Sequence, residues 1–292
     1  MTTIRTAFVL GGGGRWGAVE VGMLDALTAA GITPDLVIGC SIGAINGAVF
    51  AADPTAKGVD RLRAIWTQVA EDDPFGARID ERVRSLVSMR NAVHPNDGLA
   101  ELITSNLTAT TFEDLVVPFE CVAAVIERAT ERWFTSGLLL PALLASSAIP
   151  VLLPPVEIDG EHHYDGGLVN SIPIDRAVDR GATEIFVLQV GRVEEALEPP
   201  RRLDQAALVA LELARRHRYA TALATPPHGV TIHVLPTGDP VRMGDPRQLR
   251  WRDTRDALER MDTAQVAAAA YLAENHLGRA PGEPVAPVKA GG

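Results

Sequence analysis

The feature that most constrains the fold of this chain is a repeated order of short apolar segment, glycine-containing turn and helix-like segment. Thr6–Leu10 precedes the glycines at 11–14, and a second apolar segment at 36–38 ends at another glycine. A helix pattern follows each turn, over 17–30 and from Ile42 onward. Strands that alternate with helices are typical of a parallel sheet covered by helices. The sequence therefore predicts an α/β fold, a three-layer sandwich with a central, mostly parallel sheet between helices.

The rest of the chain continues this alternation and changes character at its end. A polar stretch with several breakers occupies 71–98, which we interpret as a surface excursion and a cap over a site. Residues 278–292 are rich in Pro, Gly and Ala, so we predict a single domain over 1–277 and a disordered tail. The other predicted elements are strands at 119–126, 132–135, 184–190 and 230–235, a hairpin over 156–164 turning at Asp159-Gly160, and helices at 203–223 and 253–277.

Charge and composition exclude some classes of protein. Acidic residues outnumber basic ones by 37 to 27, which gives a formal net charge of −10. A nucleic-acid-binding protein depends on Lys and Arg to neutralise phosphates, so we expect no nucleic-acid partner. The two cysteines, Cys40 and Cys121, are too few for a disulfide framework. The N-terminal apolar run is too short for a secretory signal and no apolar run is long enough to cross a membrane, so we expect a soluble, cytoplasmic protein.

The turn after the second predicted strand has the form G-x-S-x-G, over residues 39–43. A sharp turn from strand to helix requires glycine at Gly39 and Gly43, because a side chain there would collide with neighbouring backbone. Ser41 would then lie at a helix N-terminus, where free N–H groups and the helix dipole favour developing negative charge. The pentapeptide predicts a nucleophilic serine, and a small-residue turn with a capping serine is the alternative.

The turn after the first predicted strand allows two interpretations. The consecutive N–H groups of Gly12, Gly13 and Gly14 could point into a cleft and stabilise an oxyanion. Gly12, Gly14 and Gly17 also satisfy G-x-G-x-x-G, the fingerprint of a dinucleotide site. Such a site needs an acidic residue at the end of the second strand, whereas Asp35 precedes that strand. The position favours the oxyanion interpretation, with a nucleotide-binding protein as the alternative.

A third segment, Asp165-Gly166-Gly167, is by itself most typical of a turn. Taken in chain order, however, the three segments resemble the patatin-like phospholipase family. That family has a glycine-rich oxyanion loop, then a G-x-S-x-G turn, then a D-G-G or D-G-A segment far downstream. The resemblance spans residues 7–190, with supporting similarity at 145–150, 154–155 and 168–173.

The resemblance implies the chemistry of the site. Ser41 would attack an ester carbonyl while Asp165 accepts its proton, without a histidine, and the amides of the first loop would hold the oxyanion. The implied partner is a lipid or other ester substrate, with transient contact to a membrane surface and no cofactor. We also predict no metal, since no cluster of potential ligands has the right spacing. The positions that support the turn and the loops are Arg15, Gly17, Gly39, Gly43, Gly166 and Gly167.

The chain departs from the family pattern at one position. Family members commonly carry a basic residue immediately before the last glycine of the first loop, and this chain has Trp16 there, with the arginine displaced to Arg15. The backbone donors of the loop are unaffected by this exchange. The sequence does not show whether the side chain of the displaced Arg15 contributes to the oxyanion site.

Other residues offer alternatives to this interpretation. A Ser-His-Asp α/β-hydrolase would take its histidine from His217, His228, His233 or His276, and His228 lies in a proline-rich loop suited to that role. A homologue that binds lipids without turnover is disfavoured, because both members of the serine–aspartate pair are present. The basic cluster at 215–218 could bind an anionic head group, but we expect it to form a solvated helix face.

Overall fold

The computed structural model describes residues 4–72, 96–200, 203–240 and 256–278. Its described strands form one eight-stranded sheet, flanked by helices on both faces. The strands are β1 (Thr6–Leu10), β2 (Leu36–Cys40), β3 (Phe119–Val125), β4 (Thr130–Phe134), β5 (Val156–Ile158), β6 (Glu161–Asp165), β7 (Glu184–Leu188) and β8 (Thr231–Val234). The α-helices are α1 (Ala18–Ala29), α2 (Ile42–Ala52), α3 (Ala56–Asp72), α4 (Asp97–Asn106), α5 (Leu139–Ser146), α6 (Ile174–Asp179), α7 (Leu203–Ala224) and α8 (Ala257–Glu274).

The sheet is mostly parallel, as the sequence predicts. Its strand order is β5-β6-β3-β2-β1-β7-β8, and β4 adds to it by pairing with β3. The five strands from β3 to β8 in this order pair in parallel, whereas β4 and β6 run antiparallel to β3. The predicted hairpin of β5 and β6 turns at Asp159 and Gly160, with φ of 55° and 78°. Two successive positive φ values match the right-handed twist of the paired strands.

Alternating side chains of the central strands enter two separate cores. Phe8 and Leu10 of β1 pack with α1, α2, α3 and α8 on one face of the sheet. Ala7 and Val9 point to the other face, where they meet residues of α6 and α7. Because both faces are covered, the central strands are apolar at most positions rather than alternating regularly with polar residues. The predicted three-layer sandwich is thereby confirmed.

The helices agree with the sequence pattern except at their ends. The two predicted long helices, 203–223 and 253–277, correspond to α7 and to the shorter α8. Most of the predicted excursion at 71–98 lies outside the described residues, as does the tail beyond residue 278. Pro141 lies in the first turn of α5, where its missing N–H has no helical partner to lose. Among the described helices, none is both long enough and apolar enough to span a membrane.

The register of the central strands places the two glycine-rich turns beside each other. Leu10 at the end of β1 pairs with Gly39 near the end of β2. In a parallel sheet these carboxyl ends lie at the same edge, which is where ligand sites of open α/β sheets form. The first loop and the serine turn therefore leave the sheet side by side.

Candidate active site

Ser41 lies on a strained turn between β2 and α2. Its backbone has φ of 55° and ψ of −125°, a conformation that a residue with a Cβ rarely adopts. The side chain is buried, with 4% of the residue exposed. Strain of this kind persists only where the surrounding structure enforces it, and it is typical of nucleophile turns that raise a serine above the end of a sheet.

The two glycines around Ser41 permit the close packing that enforces this turn. A Cβ at Gly39 would lie 2.5 Å from Cα of Ala44, in the first turn of α2. A Cβ at Gly43 would lie 2.5 Å from the carbonyl oxygen of Leu10 in β1. Both distances are shorter than van der Waals contact, so α2 could not approach the sheet this closely with larger residues. This is the physical basis of the G-x-S-x-G spacing.

Strand β3 brings Asp165 to the serine. Cys40, the residue before Ser41, pairs with Val122 of β3, and Asp165 at the end of β6 pairs with the next residue, Ala123. The hydroxyl of Ser41 donates a hydrogen bond of 2.5 Å to Oδ2 of Asp165. The other carboxylate oxygen, Oδ1, accepts from the N–H of Gly167 at 2.7 Å. Two residues 124 positions apart are thus in direct contact.

The environment of Asp165 raises its basicity. Burial raises the pKa of Asp165 above its ordinary value, because a charged carboxylate loses solvation inside the protein. The charge of Arg215 and the hydrogen bonds from Ser41 and Gly167 act in the opposite direction and favour the carboxylate. A carboxylate with a raised pKa is a stronger proton acceptor than an exposed one.

Two further contacts fix the turn and the aspartate. The N–H of Ser41 donates to Oγ of Ser146 at the end of α5, at 3.0 Å. This residue belongs to the 145–150 segment that supported the family resemblance, although no role followed from the sequence. On the other side, a Cβ at Gly166 would lie 2.2 Å from the carbonyl oxygen of Val122, so the chain after Asp165 passes directly over β3.

Within the described residues, two of the three predicted oxyanion donors of the first glycine-rich loop have no hydrogen-bond partner. The N–H of Gly12 donates to the carbonyl of Ser171 at 2.8 Å, so it is already engaged in this structure. The N–H groups of Gly13 and Gly14 have no hydrogen-bond partner within the described part of the chain. Gly13 packs tightly on Val190, and Gly14, with φ of 59°, faces open space. The candidate donors of this loop therefore narrow to Gly13 and Gly14.

Trp16 acts as a core residue that anchors this loop. It is 3% exposed and packs with apolar residues of α1 and the segment after β7. The guanidinium carbons of Arg15 and Arg260 lie 3.8 Å and 4.3 Å from its ring centroid. Arg15 is thus stacked on Trp16, and Gly17 packs against Ile42 at the start of α2. The loop is held to α8 and α2 through these contacts.

A buried polar network lies behind the loop, and the sequence analysis missed it. Oε2 of Glu20 accepts from Nδ2 of Asn46 at 2.8 Å, and the same amide group donates to the carbonyl of Gly17 at 3.0 Å. Nε1 of Trp66 donates to Oδ1 of Asn46 at 3.2 Å. Glu20 is fully buried, and burial raises its pKa well above the ordinary value, partly offset by hydrogen bonds from Asn46 and Gly11. The sequence signal that could have revealed this network is Glu20 itself, an acidic residue among the apolar residues of α1.

We expect Glu20→Gln to change how stability depends on pH. Because the pKa of Glu20 is raised in the folded state, its contribution to stability is present at acidic pH and is lost as the pH rises through the folded pKa. The variant lacks this titration, so its free energy of unfolding should increase relative to that of the wild type between pH ~5 and ~8. Urea unfolding at both pH values measures this difference. Glu101→Gln on the exposed face of α4 is the control, and a difference independent of pH would contradict the assignment.

The four histidines considered for a triad make no contact with the serine–aspartate pair in this structure. His217 and His228 are exposed, and His276 follows the end of α8. His233 on β8 stacks on Phe186, with ring centroids 4.9 Å apart. None of the four contacts Ser41 or Asp165, so this structure offers no histidine for the triad alternative from these positions.

Asp35, the acidic residue nearest to the spacing of a dinucleotide site, is engaged in other contacts. Oδ2 of Asp35 accepts from the N–H groups of Arg5 and Thr6, both at 2.9 Å. These groups lie at the start of β1, the edge of the sheet opposite to the glycine-rich loop. Asp35 therefore stabilises the beginning of the strand and cannot reach a ribose bound at the loop.

The expectation of a solvated helix face at 215–218 is wrong for its first two residues. Arg215 donates to Oγ of Ser171 at 3.0 Å and to the carbonyl of Gly12 at 3.4 Å, directly beside the loop. Arg216 contacts Glu212 at 3.4 Å. His217 and Arg218 are exposed, as expected. The helix pattern alone does not show which face of α7 meets the loop. Arg215 and Gly12 are about 200 residues apart, and a local pattern does not predict a contact over that separation.

Within the ranges that the structure describes, no group of three or more His, Cys, Asp or Glu side chains could hold a metal ion. Cys40 and Cys121 are free thiols, and both are buried. Burial raises the pKa of both thiols, so neither is an activated nucleophile.

These features define a structural class: a three-layer α/β protein whose serine, on a strained strand-to-helix turn, is hydrogen-bonded directly to an aspartate. The chain belongs to the patatin-like phospholipase family, whose sequence model matches residues 8–178. The resemblance inferred from the three glycine-containing segments is therefore confirmed. The matched region begins in β1 and includes both Ser41 and Asp165.

The relatives in this family are much longer proteins. Patatin-like phospholipase domain-containing protein 7 of Rattus norvegicus is 32% identical over 200 residues, covering 67% of this chain and 14% of its own length. Neuropathy target esterase sws of Drosophila melanogaster is 30% identical over 197 residues, covering 67% of this chain and 13% of its own length. The chain thus spans about one seventh of the length of these relatives.

Solved structures align over most of the chain at low similarity. VipD from Legionella pneumophila aligns with a TM-score of 0.48 and 14% identity, covering 94% of this chain and 67% of that one. Human GIVD cytosolic phospholipase A2 aligns with a TM-score of 0.46 and 12% identity, covering 93% of this chain and 59% of that one. The family assignment rests on the sequence match, to which these alignments add nothing.

Proposed function

We propose that this chain is a lipid acyl hydrolase, a phospholipase, lysophospholipase or esterase that cleaves carboxylic esters through an acyl-enzyme on Ser41. The observation that carries the proposal is the 2.5 Å hydrogen bond from Ser41 to Asp165 on a strained turn. Membership of the patatin-like phospholipase family supports a lipid ester as the substrate. The names of the relatives, phospholipase domain-containing protein and esterase, point to the same chemistry.

Asp165 acts as general base in the first half of the proposed reaction. As Oγ of Ser41 bonds to the ester carbonyl carbon, its proton passes to Oδ2 of Asp165. The carbonyl oxygen becomes an oxyanion, which the N–H groups of Gly13 and Gly14 stabilise, each donor contributing about 3 kcal/mol in comparable sites. The tetrahedral intermediate then collapses, and the proton on Asp165 passes to the leaving alkoxide, which departs as an alcohol.

Water completes the cycle by the same route. It attacks the acyl carbon of the Ser41 ester while Asp165 accepts its proton, and a second tetrahedral intermediate forms. The collapse of this intermediate releases the carboxylic acid, and Oγ of Ser41 regains a proton. The N–H of Gly167 holds Oδ1 of Asp165 throughout, so that Oδ2 stays directed at the serine.

Covalent labelling tests the proposal without knowledge of the substrate. A fluorophosphonate probe should modify the folded protein at a single site, and mass spectrometry should place the adduct on Ser41. A single adduct is expected because only a serine activated by a neighbouring base reacts readily with the phosphorus centre of the probe. Heat-denatured protein serves as the control and should remain unlabelled. A folded sample without an adduct, or with one elsewhere, would overturn the assignment.

A further inference from the structure

A side-chain amide ties the end of the glycine-rich loop to the helix that follows Ser41. Asn46 lies in α2, one turn after Ile42, and is buried. Its Nδ2 donates to the carbonyl of Gly17 at 3.0 Å. Gly17 closes the loop, directly before the first residue of α1. The helix that begins at the candidate nucleophile therefore also holds the loop that carries the candidate oxyanion donors.

The backbone of Gly17 is closely packed at the point where this bond acts. A Cβ at Gly17 would lie 2.4 Å from Cγ1 of Ile42 and 3.0 Å from Cζ2 of Trp66. The backbone thus lies directly on side chains of α2 and α3, without room for an intervening group. Because closely packed interiors transmit displacements, the position of the loop follows the position of α2.

The amide of Asn46 is itself held in one orientation. Its Oδ1 accepts from Nε1 of Trp66 at 3.2 Å, and its Nδ2 also donates to Oε2 of Glu20 at 2.8 Å. An indole N–H can only donate, so the oxygen of the amide must face Trp66. Nδ2 must then face Glu20 and the carbonyl of Gly17. The contacts with Trp66 and Glu20 therefore determine the direction in which Asn46 donates.

Glu20 extends the same network to the start of the loop. It lies in the first turn of α1 and is fully buried. Burial raises its pKa, and hydrogen bonds from Asn46 and from the backbone of Gly11 partly offset this rise. A buried acidic side chain stabilises a core less than an apolar one of similar size. Contacts near both ends of the loop, at Gly11 and Gly17, give this polar network a purpose that packing alone would not require.

We propose that Asn46 is a positioning residue, which sets the place of the oxyanion donors of the loop relative to Oγ of Ser41. Its side chain donates to the backbone of Gly17 rather than to a reacting atom, so it acts through the loop. An oxyanion donor is effective only at hydrogen-bond distance from the developing charge, and a displacement of about 1 Å can cost about a hundredfold in rate. The inference rests on the proposed hydrolase function and adds a residue to its machinery.

Asn46→Asp tests this role with little change in the size of the side chain. The variant can still accept from Trp66, but an oxygen replaces the NH₂ group that donates to Gly17. With p-nitrophenyl butyrate as substrate, kcat should fall by roughly tenfold to a hundredfold, while KM should stay within about twofold of the wild type. The rate is expressed per Ser41 that a fluorophosphonate labels at completion, so that unfolded protein is not counted.

An alkyl trifluoromethyl ketone reports the oxyanion donors without turnover. Oγ of Ser41 bonds to its carbonyl carbon, the proton passes to Asp165, and the carbonyl oxygen becomes an oxyanion. Such an adduct resembles the tetrahedral intermediate, so its affinity depends on the same donors as kcat. The affinity for Asn46→Asp should fall by about the same factor as kcat. A fold that was merely looser, with the donors in place, would change neither value.

Trp66→Phe provides a second variant that leaves Asn46 intact. It removes the N–H that orients the amide and retains an aromatic ring beside Gly17. We expect kcat and the affinity for the ketone to fall together by roughly threefold, in line with the loss of one neutral hydrogen bond.

Two controls separate positioning from stability. Asn275→Asp is the same exchange at an exposed amide that also donates to a backbone carbonyl, that of Tyr271 at 2.8 Å, and it should keep the wild-type kcat. Leu272→Ala removes a buried side chain from the core that contains Trp66. It should lower the Tm and leave kcat per labelled serine unchanged.

A folded Asn46→Asp with the kcat and ketone affinity of the wild type would overturn the proposal, as would an equal loss of kcat in Leu272→Ala. If Asn46→Asp fails to fold, Trp66→Phe decides, and wild-type values in that variant contradict the proposed role. Labelling of Ser41 reports the hydrolase function separately. A labelled wild type whose variants keep full activity therefore loses this inference alone, whereas an unlabelled wild type loses the proposed function.

Discussion

Ser41→Ala is expected to abolish ester hydrolysis, with a loss of at least about ten-thousandfold in kcat/KM. The reason is that the variant has no oxygen to form the acyl-enzyme, and Asp165 alone could only assist a direct attack by water. The measurement is the release of fatty acid from a lipid ester, together with the disappearance of the fluorophosphonate adduct. The Tm should change little, since the substitution removes a single buried hydroxyl and leaves the close packing of Gly39 and Gly43 in place.

The exposed Ser105 on α4 provides a matched control for this substitution. Ser105→Ala changes the same functional group far from the site and should retain full activity and labelling. Hydrolysis that survived in Ser41→Ala at more than a few per cent of the wild-type rate would mean that another residue is the nucleophile. A lower Tm accompanied by lost secondary structure would instead show that the variant had failed to fold, and labelling kinetics of the wild type would then decide the assignment.

Asp165→Asn is expected to lower kcat by at least about a hundredfold, in line with the loss of a general base. The amide remains able to accept from Gly167 and keeps the shape of the side chain, so the turn should persist. It cannot accept the proton of Ser41 Oγ at a useful pKa. The wild-type rate should fall at acidic pH as Asp165 is protonated, at a pH above the ordinary range for aspartate because burial raises its pKa. The residual activity of the variant should lack this acidic limb.

Stability distinguishes this loss from a folding defect. Because the folded pKa of Asp165 is raised, ionisation of the buried carboxylate destabilises the folded state as the pH rises. The neutral Asn avoids that cost, so Asp165→Asn should be at least as stable as the wild type at neutral pH while losing its activity. Asp179→Asn, on an exposed residue of α6, is the control. If His228→Ala were as damaging as Asp165→Asn, a histidine-dependent mechanism would replace the one proposed.

The sequence was sufficient to predict the fold because its signals are local. Apolar runs such as Thr6–Leu10 predict buried strands, and the glycines after them predict tight turns into helices. The hairpin at Asp159-Gly160 follows from turn chemistry alone. Helix ends were less accurate, as with α8, which ends at Glu274 rather than three residues later. Fraying and capping at helix ends involve small energies that the pattern of apolar residues does not report.

From the sequence, only those residues of the candidate site that belong to a recognisable motif could be predicted. Ser41 lies in a spacing that few turns satisfy, and Asp165 was identified through the family resemblance rather than through its own neighbourhood. The sequence predicts Gly12 as an oxyanion donor, because a glycine pattern does not show that the N–H of Gly12 donates to Ser171. Arg215 was expected in solvent because its contacts with Gly12 and Ser171 depend on how α7 crosses the sheet. Such contacts between distant segments have no periodic signature in one sequence.

The contacts made by β7 and α8 show where the chain cannot be cut without exposing its sheet and core. The family match ends at residue 178, yet β7 pairs with β1 beyond that point, and α8 packs closely on α1, where a Cβ at Gly22 would lie 2.0 Å from the carbonyl oxygen of Met261. We propose that residues 1–277 form one indivisible folding unit. A chain cut after the matched region would leave the edge of β1 open to pairing with other chains. The boundary of sequence similarity is therefore a poor guide for transplanting this unit into another protein.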